Sequence, residues 1–192
     1  MDTGTLAITG DPDADGLLNT DPFALLLGML LDQQVPMEWA FRGPASLRAR
    51  LGHLDPVRIA AMDPEALDAT FREKPALHRY PGSMAGRAHQ LCQHLVDHYD
   101  GDAEAIWAGV DDGAEVLRRL QDLPGYGKEK AQIFLAILVK RIGCHFAGWE
   151  KAAGSFADEK PRSVADIDDA ASLAEVREWK KAQKAKGKAK AD

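Results

Sequence analysis

The sequence predicts an all-α protein, and three observations lead to that prediction. No segment longer than about four residues alternates apolar and polar side chains, so half-buried strands are not expected. Apolar residues recur instead at spacings of three and four, as they do along the buried face of a helix. Aspartate followed by proline precedes several of these segments. That pair is typical of a helix start, because aspartate caps the first turn and proline fits its first position.

The N-terminal part of the chain predicts one buried central helix. Residues 1–19 show no helical period and are expected to be irregular, with one short strand at Leu6–Thr9. Asp21-Pro22 then starts a helix that is apolar on every face as far as Leu31. A helix without a polar face is buried, and this one is too short to cross a bilayer.

The remaining helices follow from the same two signals. They are predicted behind Pro36, behind Asp55-Pro56, behind Asp63-Pro64, over 82–99, over 116–120, over about 128–141 and from about 170. Residues 143–165 are richer in glycine and less periodic. We expect residues 1–180 to form one two-lobed helical domain and 181–192 to form a flexible tail rich in Lys and Ala.

Composition and charge exclude several classes of protein. The apolar content of 45% is ordinary for a globular chain with a real core. No basic segment followed by an apolar run stands at the start, and no stretch reaches the ~20 apolar residues of a membrane span. A cytoplasmic protein is therefore expected. The net charge of −6 disfavours a protein that coats DNA, but a local positive face remains compatible with it.

The chain has two cysteines, Cys92 and Cys144. Two are too few for a disulfide framework or for a site with four thiolates, so an iron–sulfur cluster is not expected. His94 and His98 have a spacing of four, which suits a metal on one helix face, but no third ligand is evident. The sequence predicts no metal site.

The segment from Leu120 to Ala131 joins two predicted helices through a tight turn. Gly125 and Gly127 bracket Tyr126, and glycine lets the backbone pass through conformations closed to other residues. The amides of the turn and of the following helix start then point outwards, where the helix dipole favours an anion. Such a turn suits a nucleic-acid phosphate held without regard to base sequence. A simple helix stop is the alternative.

The pattern Leu123-Pro124-Gly125-x-Gly127-x-x-x-Ala131 resembles the helix-hairpin-helix of the HhH-GPD superfamily of base excision DNA glycosylases. The resemblance covers residues 20–180 and implies a two-lobed helical fold with the hairpin at about 115–141. It also implies a short form without the iron–sulfur cluster and without a cofactor. A monovalent cation at the hairpin turn is the one ion compatible with this resemblance. DNA contacts are then expected at Leu123, Pro124, Gly125, Tyr126, Gly127, Lys128 and Lys130, with Tyr126 exposed beside the DNA.

Gln33 and Gln34 leave the apolar helix that ends near Leu31. Burying two amides there is costly unless they face a cleft or hydrogen-bond partners. The segment resembles the Leu-x-Gln-Gln element of the same superfamily. That resemblance implies that Gln33 and Gln34 fill the gap left in DNA when a base is flipped out. An ordinary polar helix terminus is the alternative.

The same resemblance leaves the catalytic acid open. It implies an aspartate after the second hairpin helix, at a spacing from Glu129 that falls on 147–149, where no aspartate stands. Glu150 and Asp166 are the two candidates. We rank Asp166 first, because it keeps the acid type and follows a strand-like segment. A helix cap is the alternative for Asp166.

The predicted function is excision of a damaged base from double-stranded DNA. Glu129 stands where lyase members of the superfamily carry a lysine, so the resemblance implies a monofunctional enzyme that hydrolyses the N-glycosidic bond. We expect a monomer that associates with the nucleoid when it binds DNA, with His78–Gly82 and Arg87 forming part of a basic rim. Two alternatives remain, a DNA-binding hairpin module without catalysis and a helical protein whose hairpin binds another protein.

Overall fold

A computed structural model describes residues 4–187. The α-helices in this range are α1 (Pro12–Thr20), α2 (Pro22–Leu31), α3 (Met37–Leu51), α4 (Pro56–Ala60), α5 (Pro64–Arg72), α6 (Pro81–Tyr99), α7 (Gly113–Gln121), α8 (Lys128–Ile137), α9 (Trp149–Ala153) and α10 (Ala170–Ala185). Within residues 4–187 there is no strand, and one isolated bridge joins Asp112 to Ala147. The predicted all-α class is confirmed.

The Asp-Pro pairs mark helix starts as predicted. The carboxylate of Asp21 accepts hydrogen bonds from the amides of Phe23 and Ala24 at the start of α2. The prediction of an irregular N-terminal segment is wrong, because Pro12–Thr20 forms α1. Asp11 caps α1 through the same kind of contact, so the signal used elsewhere in the chain was also present here.

The strand predicted at Leu6–Thr9 is also absent. This segment has no regular secondary structure, and its backbone hydrogen bonds are made to side chains and not to a neighbouring strand. The Leu6 amide donates to Oδ1 of Asn19, and Nδ2 of Asn19 donates to the Leu6 carbonyl, each at 2.9 Å. The buried Asn19 amide therefore satisfies the backbone of Leu6 as a paired strand would.

Helix α2 lies at the centre of one continuous hydrophobic core. Every residue from Phe23 to Leu31 is buried, which confirms the predicted central helix. It packs against α3, α6 and α8, and Gly28 lets the Phe41 ring approach its backbone closely. Across residues 4–187, no helix combines the length and the apolar character that a membrane span requires. The division into two lobes stays a prediction.

The C-terminal part packs around α8. Helix α8 continues into a π-helical turn at Leu138–Ile142, and short 3₁₀ helices follow at Gly154–Ala157 and Val164–Asp166. Helix α10 runs to Ala185, past the tail boundary predicted at residue 180. Its Arg177 pairs with Glu38 in the first turn of α3. The last five positions of the predicted tail, 188–192, lie outside the described residues.

Candidate nucleic-acid interface

Gly125 is required by the fold of the hairpin turn between α7 and α8. Its φ of +82° lies in the left-handed region, which side chains rarely adopt. A Cβ at this position would stand 2.5 Å from Cδ1 of Leu30, a distance that would force the neighbour to move. Both the backbone conformation and the contact with α2 therefore favour glycine here.

Gly127 is not required by the packing of this chain. Its φ of −77° and ψ of 172° suit any residue, and a Cβ would meet no atom within 4 Å. It precedes α8 as the N-cap and offers no side-chain hydrogen bond to the amides of the first turn. Those amides have no carbonyl partner inside the helix and carry the positive end of its dipole. Gly127 therefore leaves room for an external anion at this helix start.

The side chain of Tyr126 is buried, so the expectation that it lies exposed beside DNA is wrong. It is 5% exposed, and its hydroxyl donates to the Leu26 carbonyl at 2.7 Å. Its ring meets Phe134 edge to face at 5.9 Å, and burial raises its pKa well above the usual range. The neighbouring Leu123 is 2% exposed. Both side chains anchor the turn to the core, and the surface of the turn is formed by Gly125, Gly127 and the half-buried Pro124.

The two hairpin lysines have different surroundings. Lys128 is the first residue of α8, and its side chain is exposed. Lys130 is half-buried, and its Nζ donates to the Leu30 carbonyl at 2.9 Å near the end of α2. The Lys130 ammonium therefore lies where the hairpin meets the segment that carries the two glutamines.

Residues 32–36, which we call the glutamine loop, connect α2 to α3. Gln34 is exposed and has a φ of +57°, an uncommon conformation for a residue with a side chain. Gln33 is half-buried, with Nε2 at 3.6 Å from Sδ of Met84 on α6. The Gln34 side chain therefore faces solvent, and the Gln33 side chain packs against α6.

His78 contacts the glutamine loop from the protein interior, a role that the sequence did not reveal. It is 1% exposed, and its Nε2 lies 3.1 Å from the carbonyls of both Leu31 and Gln33. The Tyr80 amide donates to its Nδ1 at 3.0 Å, which assigns the ring proton to Nε2. Burial lowers the pKa of His78, and the charges of Lys130 and Arg87 lower it further. The prediction that His78 belongs to a basic rim is therefore wrong, because this ring is buried and neutral.

The glutamine loop and the hairpin are neighbours on one face. Lys130 bridges to Leu30, and the Arg87 side chain passes 3.9 Å from the position that a Gly125 Cβ would take. Arg87 and Lys130 are therefore two cations between the hairpin and the glutamine loop.

Helix capping also sets this face apart. Aspartate side chains cap α1, α2, α4, α5, α7 and α10. Helices α3, α6 and α8, which begin beside the glutamine loop, His78 and the hairpin, have no side-chain cap, and neither has the short α9. Helix starts without a carboxylate are suited to an external anion.

Asp166, the first-ranked candidate acid, holds a turn together. Its Oδ1 lies 2.7 Å from Nζ of Lys140, and its Oδ2 accepts from the amides of Arg162 and Ser163 at 3.0 Å each. The side chain is 9% exposed, and it forms a reciprocal capping box with Ser163. The expected strand-like approach to Asp166 is wrong, since the residue ends the 3₁₀ helix Val164–Asp166. Both oxygens of this carboxylate are thus engaged in structural contacts.

Glu150 is exposed in the first turn of α9 and lines a groove of about 340 Å³. Asp166 lines a second groove of about 500 Å³, and Trp149 borders both. Lys140, the partner of Asp166, lies twelve residues beyond Lys128, on the order of 18 Å along a helix. The structure therefore brings the two candidate acids to a common region that lies away from the hairpin turn.

Comparison with known proteins decides the family. The family model described as HhH-GPD superfamily base excision DNA repair protein matches residues 27–191. The chain belongs to the HhH-GPD superfamily. This superfamily consists of DNA glycosylases of base excision repair, so DNA is the substrate that the family implies. Searches of curated proteins and of solved structures gave no significant match.

The HhH-GPD match does not decide the cofactor. Cys92 is buried, which raises the pKa of its thiol, and Cys144 is half-buried. Among residues 4–187, no group of three or more His, Cys, Asp or Glu side chains is placed to hold a metal ion. The lack of an iron–sulfur cluster, the lack of a metal and the cation at the hairpin turn all stay predictions.

Proposed function

We propose that this HhH-GPD protein is a monofunctional DNA glycosylase. It binds double-stranded DNA that contains a damaged base, flips that base out and hydrolyses its N-glycosidic bond, leaving an abasic site. It acts as a monomer on cytoplasmic, nucleoid-associated DNA. The observation that supports this proposal most is the pairing of an uncapped helix start at Gly127 with an exposed Gln34 on one face.

The first step is capture of the DNA backbone. Phosphate oxygens meet the amides at the start of α8, where Gly127 leaves the approach open. Lys128 adds a cation that is exposed at the same helix start. These contacts bind phosphate without reading base sequence, as a search for rare lesions requires.

The second step is extrusion of the damaged base. Flipping a nucleotide leaves a gap in the stack and an orphaned partner base. Gln34 projects from the glutamine loop beside the hairpin, and its amide carries both a donor and an acceptor for that base. A loop held in an uncommon backbone conformation presents this side chain with little freedom to withdraw.

The third step is hydrolysis by water. Glu129 occupies the position that holds the lysine in lyase members, and its neighbours Lys128 and Lys130 project about 100° to either side on a helix. Positive charge develops on the sugar as the bond breaks, and a nearby carboxylate stabilises that charge. Because both oxygens of Asp166 hold a turn, we now place the exposed Glu150 ahead of it.

A DNA-binding module without catalysis is the second candidate function. It is favoured by the separation of both acids from the hairpin turn along α8. In such a module the hairpin and Gln34 would still grip DNA, and no bond would be cleaved.

A panel of duplexes that each contain one lesion distinguishes the two functions. Strand cleavage that occurs only after alkali treatment supports the monofunctional glycosylase, and cleavage without alkali contradicts the proposed lack of lyase activity. Binding without cleavage across the panel supports the module. On a cleaved substrate, Glu150→Gln is expected to abolish turnover while the folded Asp166→Asn protein keeps it. The reverse result would restore Asp166 as the catalytic acid.

A further inference from the structure

We infer that His78 is a positioning residue that holds the glutamine loop in the shape that presents Gln34 to the gap in DNA. This inference rests on the proposed function, because it assigns a role within the same DNA-binding face. His78 touches no substrate in this account and acts only through the loop.

The hydrogen bonds of His78 explain how a distant ring can fix the loop. Its Nε2–H donates to the carbonyls of Leu31 and Gln33, which stand at the end of α2 and inside the glutamine loop. The Leu31 carbonyl also accepts from the Gln33 amide at 2.8 Å, so the chain turns sharply at this point. A buried carbonyl needs a donor. His78 supplies one to the Gln33 carbonyl and adds a second donor to the Leu31 carbonyl.

The other ring nitrogen, Nδ1, connects this loop to α6. The Tyr80 amide donates to Nδ1 of His78 at the residue that caps α6. Met84, in the first turn of α6, contacts the Gln33 amide. The ring of His78 therefore holds two separate segments in one relative position, and it can do so only as the neutral Nε2–H tautomer.

The conformation of Gln34 needs such a support. Its φ of +57° is unfavourable for a residue with a side chain, and strain of this kind persists only where neighbouring contacts impose it. The carbonyl that precedes Gln34 is the one that His78 binds. Loss of that contact would let the loop relax and the Gln34 side chain turn away from the DNA.

Burial keeps the ring neutral by lowering the pKa of His78, and the charges of Lys130 and Arg87 act in the same direction. Lys130 faces it from α8, Arg87 faces it from α6, and Asp32 lies in the glutamine loop itself. None of these side chains is of a type that titrates between about pH 5 and pH 7. Protonation of His78 would place a proton on Nδ1 and break the bond from Tyr80, so the support is lost in acid.

The experiment measures the preference for a duplex with an abasic site. This preference is the affinity for DNA with one tetrahydrofuran abasic-site analogue divided by the affinity for undamaged DNA. This probe presents an orphaned base without requiring knowledge of the lesion. We expect Gln34→Gly and His78→Phe each to lower the preference about tenfold, with undamaged-duplex affinity kept within about twofold. The double variant should lose about tenfold and not a hundredfold, because both changes remove the same interaction.

His89→Phe is the matched control. His89 is a buried histidine on α6, and its Nε2 contacts the Met62 carbonyl and not the glutamine loop. A merely structural effect of losing a buried imidazole would be reproduced by His89→Phe. We expect that variant to keep the preference within about twofold.

A pH series provides the readout should His78→Phe fail to fold. Because burial lowers the pKa of His78, the wild-type preference should decline only at a pH below the ordinary histidine pKa of about 6.5. His78→Gln should keep a constant preference, because its amide offers a donor and an acceptor without titrating. If the losses of preference add in the double variant, or if His89→Phe loses as much preference as His78→Phe, the inference about His78 is overturned and the proposed function stands. A wild-type protein without any preference would overturn the proposed function and this inference with it.

Discussion

Backbone amides are used in opposite ways at the start of α8 and beyond its end, where the π-helical turn Leu138–Ile142 follows. At the hairpin end, Gly127 leaves the helix start without a side-chain cap and open to solvent. Beyond the far end, the amides of Arg162 and Ser163 converge on the Asp166 carboxylate, which also pairs with Lys140. The chain binds its own carboxylate at one place and leaves the start of α8 without one. A carboxylate near the position where a family carries its catalytic acid can therefore have a structural role, and its hydrogen-bond partners show which role it has.

The largest effect is expected at Asp166. Asp166→Ala should lower the free energy of unfolding by about 3 kcal/mol, because two amides lose their acceptor and the Lys140 ammonium loses its counter-ion, keeping only the Asp158 carbonyl. Denaturant unfolding measures this loss. Asp168→Ala is the control, since Asp168 is 50% exposed beside Arg141 and should cost less than about 1 kcal/mol. Equal losses for the two variants would show that Asp166 is not a structural residue.

Gly127→Asp adds a carboxylate at the start of α8 and should separate stability from binding. An aspartate N-cap is compatible with the backbone at Gly127, so the melting temperature should stay or rise slightly. Its carboxylate would occupy the phosphate position, and affinity for undamaged duplex should fall about 100-fold. Gly16→Asp adds the same charge at an exposed position of α1 and should leave binding nearly unchanged. Full affinity in the Gly127 variant would contradict the hairpin site.

The two hairpin glycines should differ in their effect on stability. Gly125→Ala should lower the free energy of unfolding by about 2 kcal/mol, through its positive φ and the contact with Leu30. Gly127→Ala should cost less than about 1 kcal/mol, because only the cap preference changes. Thermal melts of both variants test this difference. Equal losses would mean that Gly127 also has a packing role.

A smaller effect is expected from pH. The pKa of His78 is lowered by burial, and that of His94 is lowered by burial and by His98. Below an ordinary pKa of about 6.5 the unfolded chain therefore binds protons that the folded chain does not, so stability falls as pH decreases. Above that pH both states are neutral and these groups contribute nothing. Unfolding free energies from pH 7 to pH 5 should decline less steeply in His78→Gln, and an unchanged slope would contradict the neutral assignment.

Much of the fold was predictable because its signals are local. The helix start at Asp21-Pro22 and the burial of α2 follow from a few adjacent residues. The missed helix α1 carries the same local signal at Asp11-Pro12, hidden by the few apolar residues behind it.

The site was less predictable because its decisive contacts span long stretches of sequence. Tyr126 is buried because its hydroxyl reaches the Leu26 carbonyl on another helix. His78 meets the glutamine loop across more than forty residues, as the pairs with Leu31 and Gln33 show. No periodicity or motif encodes such pairings. The hairpin motif predicts where an anion could bind. Only the packing shows which of its side chains are exposed and which are buried.

The central claim is that the start of α8 binds the DNA backbone, and a nitrogen-15 NMR titration tests it most directly. A short undamaged duplex is added to labelled protein, and the shift of each backbone amide is followed. The account predicts the largest changes at Gly125, Gly127 and Lys128, with Gln34 next. Unmoved hairpin amides, with the largest changes beyond the end of α8 around Lys140, would contradict it.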